Sequence, residues 1–286
     1  MIAFLRKHEI WFILILFVTA NALFVTCIVK GMLPEGLYGF GRFALLGAVL
    51  FGTVFLVRGW SGVVDILRPM FEWKQHPLLY VFAVVWTVLL CVLVLTAKEL
   101  ITGDPLTSDE LVTGLQHISN PRLLVTLLVS SFVGEMVWIS YAVRRLSTRF
   151  TCFVSALIVG AVWTAWWLPM AIYNFGIIPE LPLIALLFNQ MGIAAMCAFV
   201  YFHTRSGLLV LVMQIMFNAT ILVFPITPTV GGAPTYWAFA LTYFCAALTL
   251  FLIFGPKPII TGKKRKAGGI SVTTESKLLS SPGSGA

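Results

Sequence analysis

Charge is the scarcest property of this sequence. Asp, Glu, Lys and Arg make up 10% of its 286 residues, where a soluble globular domain carries about 25%. That excludes an ordinary soluble fold. Histidine is scarce too. His8, His76, His117 and His203 are the four present, and none lies deep in an apolar run. All four read as solvated or interfacial. A catalytic zinc site usually takes three protein ligands from His, Asp, Glu or Cys, so few residues are available for one. Cys27, Cys91, Cys152, Cys197 and Cys245 lie in apolar runs and form no CxxC. They read as small apolar packing residues, not as metal or disulfide positions. The runs are continuous rather than alternating, which excludes a transmembrane barrel. No internal repeat is found.

What the sequence does have is apolar length. Hydrophobic residues are 59% of the chain, and mean hydropathy is +0.98. A helix needs about 20 mostly apolar residues to cross a bilayer, and its backbone polar groups must be satisfied internally. Eight such runs are found, at about 10–29, 37–57, 77–97, 122–143, 151–172, 182–202, 206–225 and 236–255. The expected fold is therefore all-α: a polytopic membrane bundle of about eight helices, occupying residues 1–255. The first run is too long for a signal-peptide core, so it reads as an uncleaved span.

The connections carry their own signals. Thr107 and Glu110 have capping-box spacing, which predicts a short helix outside the lipid. The segment 58–76 mixes Trp60, Val63, Val64, Ile66, Leu67, Phe71 and Trp73 with charges. It predicts an interfacial amphipathic stretch broken by Pro69. From Pro256 the chain turns basic, then rich in Gly and Ser, which predicts a disordered tail over 256–286. Its Lys263–Lys266 cluster reads as a stop-transfer and headgroup anchor.

Basic residues set the orientation. With both termini in the cytoplasm, only Lys30, Lys98 and Arg122 fall on the far side, and Arg42 lies within the second span. The net charge of +8 is thus topological, and no nucleic-acid partner is expected. The cell membrane is the expected location.

Polar groups at membrane depth are few and costly. An ionisable side chain there is a functional candidate by default. Glu135 is the acid that stands well inside a span, nine residues before Arg144, or about 14 Å along a helix. Asn189 and Gln190 occur in the sixth span. Gln214 and Asn218, four apart in the seventh, share one helix face. Taken alone, these amides read as interhelical hydrogen-bonding groups. The stretch Trp163–Met170, "WTAWWLPM", is dense in aromatics and contains Pro169, which ends or kinks its helix.

Three of these stretches together resemble a known family. Gly134-Glu135-Met136-Val137-Trp138-Ile139 is similar to Glu-Glu-x-x-x-Arg, often with Trp before the Arg. Trp163-Thr164-Ala165-Trp166-Trp167-Leu168-Pro169 is similar to Trp-x-x-x-His-x-Pro. Gln214-Ile215-Met216-Phe217-Asn218 is similar to His-x-x-x-Asn. These are the motifs of the CAAX-protease and bacteriocin-processing (CPBP, or Abi) intramembrane metalloproteases. Glu72-Trp73-Lys74 and the lead-in "HTRSGLLVLVMQ" also resemble that family. The resemblance covers the layout of residues 60–225, with a core at 77–225.

The resemblance implies a site built from the motif Glu and two His residues around a metal or an activated water. In this sequence Gly134 replaces the first Glu, Ile139 the Arg, and Trp167 and Gln214 the two His residues. It therefore implies a pseudoprotease without a metal or other cofactor. Glu135, Trp138, Trp163, Trp167, Gln214 and Asn218 would line the former substrate cavity. The expected role is a scaffold or regulator that binds a membrane-protein partner or a membrane lipid. A divergent active endopeptidase, which alone would need zinc, is a second reading. A transporter is a third, weakened because nothing matches Pro169 in a second half of the chain. One geometric conflict follows from the spacing. Trp167 lies about 24 Å along its span and Glu135 about 14 Å along its own from the same side.

Overall fold

Eight apolar runs become eight helices. The structure, a computed structural model, describes residues 2–176 and 178–255, with side chains from His8 onward. In chain order the helices are α1 (Ile2–Val29), α2 (Tyr38–Arg58), α3 (Trp60–Leu67), α4 (Pro77–Thr102), α5 (Ser108–Ile118), α6 (Pro121–Gly134), α7 (Arg144–Leu146), α8 (Cys152–Tyr173), α9 (Leu183–Thr204), α10 (Gly207–Val223), α11 (Pro228–Gly231) and α12 (Ala233–Phe254). No strand occurs among the described residues. A π-helix, Glu135–Val143, joins α6 to α7. Among the described residues, eight segments are long and apolar enough to cross a membrane, one of them Pro121–Leu146, which includes the π-helix. The protein is an integral multi-pass membrane protein. The predicted tail from Pro256 lies outside the described residues.

The short elements follow their local chemistry. Thr107 and Glu110 form the predicted capping box of α5, with Thr107 N donating to Glu110 Oε2 at 2.9 Å. In the amphipathic stretch, α3 buries Val63 and Ile66 while Trp60 and Val64 stay exposed. It gives way to a 3-10 turn, Arg68–Phe71, at Pro69. Pro169 does not end α8, which runs on to Tyr173.

α9 is the central helix, packed between α8 and α12. Its Gly192, Ala194, Ala195 and Ala198 are buried, and small residues let helix backbones approach. α8 comes close to α9 at Gly160, where a Cβ would lie 2.5 Å from Met191 Cα. Around this centre, α1 packs on α2 and α8, and α10 packs on α4, α5 and α6.

Polar contacts define two ends. At the basic end, Arg58 pairs with Glu9 and Arg144 with Asp65, and Gln75 donates to the Thr204 carbonyl. At the opposite end, Thr26 bonds Tyr173 and Tyr38 bonds Gly176. There α5 also lies against the end of α10, where a Cβ on Gly114 would meet Val223 O at 2.2 Å.

Candidate functional site

Glu135 is fully buried and opens the π-helix. Residues five apart on an α-helix stand about 140° apart around the axis. The i→i+5 bonding of a π-helix instead brings them nearly into line. Ser140 is thereby placed to donate to Glu135 Oε1, at 2.5 Å. Glu135 Oε2 has no hydrogen-bond partner. Opposite stands the start of α10, where a Cβ on Gly207 would lie 2.9 Å from Glu135 Oε1. Ser206 caps that helix by accepting from Leu209 N. The carboxyl group therefore faces a helix N-terminus, whose free N–H groups favour negative charge.

The first and third motif stretches meet. At Gly134 a Cβ would lie 2.7 Å from Gln214 Oε1. Four residues along α10, Asn218 Nδ2 donates to Ser131 Oγ at 2.9 Å. The face carrying Gln214 and Asn218 thus packs antiparallel on the face carrying Gly134 and Ser131. Ile139 is buried and apolar, so the place of the motif Arg contributes packing only.

In the second motif stretch, Trp163 stacks on Trp138, with centroids 5.4 Å apart at 18°, and Trp138 also meets Phe17 edge-on. Trp167 is joined to this pair through Trp166, whose ring meets Trp138 edge-on at 6.4 Å. The Trp167 ring meets Trp166 at 5.7 Å and Arg42 at 5.1 Å. Among the described residues no hydrogen bond or ring contact joins it to Glu135, Gln214 or Asn218. Trp163, Trp138, Trp166 and Trp167 thus form a continuous chain of ring contacts, with Trp167 at the end that meets Arg42. The remaining amides are separate. Asn189 donates to Tyr236 of α12 at 3.4 Å, and Gln190 Oε1 has no partner.

Two buried charges escaped the sequence reading. Glu9 is 3% exposed. It accepts from Arg58 at 2.7 and 2.8 Å and from Tyr141 at 2.9 Å, and Arg145 lies 3.9 Å away. In the sequence it stands just before the first apolar run, with all three of these partners far off in the chain. Arg42 is also 3% exposed. Its signal was present, a single Arg inside an apolar run, but its partners lie far off in the chain.

A zinc ion does not fit these residues. Gln214 presents a neutral amide, a poor zinc donor. Asn218 is engaged by Ser131, and Trp167, a donor only, is turned to Arg42. Glu135 is left as the one carboxylate of the three motif stretches. Neither models of known protein families nor the curated proteins provide a match to this chain.

Proposed function

We propose that this chain is a catalytically inactive relative of the CAAX-protease and bacteriocin-processing family. On this reading it serves in the cell membrane as a scaffold or regulator of a membrane-protein partner, with its basic end in the cytoplasm. The observation that carries the reading is the close fit of Gln214 against Gly134. A Glu at 134, as in the family, would begin with a Cβ 2.7 Å from the Gln214 amide oxygen. The Gln214 amide thus lies beside Gly134, where a longer side chain would begin. The retained Glu135 and Asn218 hold Ser140 and Ser131. A peptidase needs a base and an electrophile aimed at one reacting atom; Glu135 Oε1 and Asn218 Nδ2 are engaged in internal bonds, and only Glu135 Oε2 is left unpartnered.

The test is the zinc content of the detergent-purified protein by mass spectrometry, beside a Glu135→Ala control, followed by a peptide-hydrolysis assay. Background zinc in both proteins and no turnover are expected. One zinc per chain that disappears in the control, or hydrolysis abolished by Glu135→Gln, would overturn the reading in favour of an active endopeptidase.

A further inference from the structure

Arg42 is a buried cation within a membrane span, and no ion pair among the described residues includes it. Burying an uncompensated charge is costly, so its surroundings matter. Nε donates to Asn21 Oδ1 at 3.1 Å and Nη1 to Tyr38 Oη at 2.9 Å. Asn21 is fixed in turn by donating to the Trp166 carbonyl at 2.7 Å, and Tyr38 by donating to the Gly176 carbonyl at 2.6 Å. The guanidinium lies 3.9 Å from the Trp166 ring centroid and 5.1 Å from that of Trp167.

Arg42 Nη2, Trp166 Nε1 and Trp167 Nε1 all lack a hydrogen-bond partner. Each is a donor with no accepting capacity. Donors grouped around one cation, with no acceptor left over, are complementary to an anionic oxygen group. A buried Glu would have balanced the charge, but Glu35 and Glu180 at this end are exposed, and neither bonds Arg42. Arg42 lies four residues into α2, about 6 Å from its start, near the end of the second span opposite the basic end. Trp167 and Tyr38, at the edge of this group, are partly exposed.

We propose that Arg42, Trp166 and Trp167 form a binding site for one phosphate group at the end of the bundle opposite the basic end. Arg42 Nη2 and the two indole N–H groups donate to its oxygens, and Tyr38 and Asn21 hold the guanidinium in place. The proposal does not depend on the reading of the three motif stretches. Two sources share this chemistry, a phospholipid headgroup and free phosphate.

The full-length protein, purified in neutral detergent, is titrated with phosphatidylglycerol and separately with inorganic phosphate. Bound ligand is counted by native mass spectrometry, and binding is followed by tryptophan fluorescence. One tightly held ligand is expected in the wild type. Its affinity should fall about tenfold in Arg42→Lys, which keeps the charge but loses the planar fork. A smaller loss is expected in Trp167→Phe, which keeps a ring but removes one donor. Binding of phosphatidylglycerol alone assigns the site to a lipid, and binding of both ligands assigns it to phosphate in general. If Arg42→Lys does not fold, Trp167→Phe decides. Wild-type binding no tighter than that of the folded variants, for either ligand, would overturn the proposal and leave Arg42 a packing residue.

Discussion

Ser140 holds Glu135 from five residues further along the chain, by a 2.5 Å hydrogen bond between two fully buried side chains. An α-helical backbone would turn the two apart. The π-helix is therefore the device that partners a carboxyl group inside the bundle, and π segments are concentrated at functional sites.

Ser140→Ala leaves Glu135 without a side-chain partner. It should cost about 1–3 kcal/mol, the usual penalty for stranding a buried polar group. Changing both residues, Glu135→Leu with Ser140→Ala, should recover most of that loss, because no polar group is then stranded. Thermal unfolding in detergent measures both. A double variant no more stable than Ser140→Ala would show that Glu135 has other essential contacts.

The glycines give a rank order. Gly160→Ala meets the Met191 backbone at 2.5 Å, which cannot move without shifting α9. Gly134→Ala meets the end of the Gln214 side chain. Overpacking costs about 1–3 kcal/mol, and Gly160→Ala should fall at the top of that range with Gly134→Ala below it. Gln214→Ala should suppress the Gly134→Ala defect and leave the Gly160→Ala defect unchanged. Unfolding midpoints of the single and double variants check this.

Two of the ion pairs at the basic end should differ in weight. Arg58→Ala removes the two shortest bonds to Glu9, which is 3% exposed, and leaves it Tyr141 and the more distant Arg145; it should cost about 2–3 kcal/mol. Asp65→Asn breaks a pair whose acid is 46% exposed and should cost less than about 1 kcal/mol. Equal losses in a denaturation series would refute the distinction.

The orientation is open to labelling. In a cysteine-free background, Asp109→Cys on α5 should react with an impermeant maleimide added to intact cells. Gln75→Cys, at the basic end, should react only after permeabilisation. The reverse pattern would invert the topology drawn from the basic residues.

The spans and the Thr107–Glu110 cap were readable because their causes are local: apolar run length, and two residues at fixed spacing. The meeting of Gly134 with Gln214 was anticipated only through motif order. The π-helix was not, since its backbone geometry depends on the packing of all nine of its buried residues. Trp167 shows the limit most plainly. Its place in a motif suggested company with Glu135, whereas helix position put it beside Arg42. Arg42 itself was visible as a residue, but Asn21, Trp166 and Trp167 around it come from two other spans.

The Glu9 cluster bears on how the molecule is assembled. A chain is synthesised N-terminus first, so Glu9 precedes all its partners. Arg58 follows 49 residues later and Tyr141 132 residues later. The Glu9 site therefore draws on the first, second and fourth spans, and it is complete only once all three stand together.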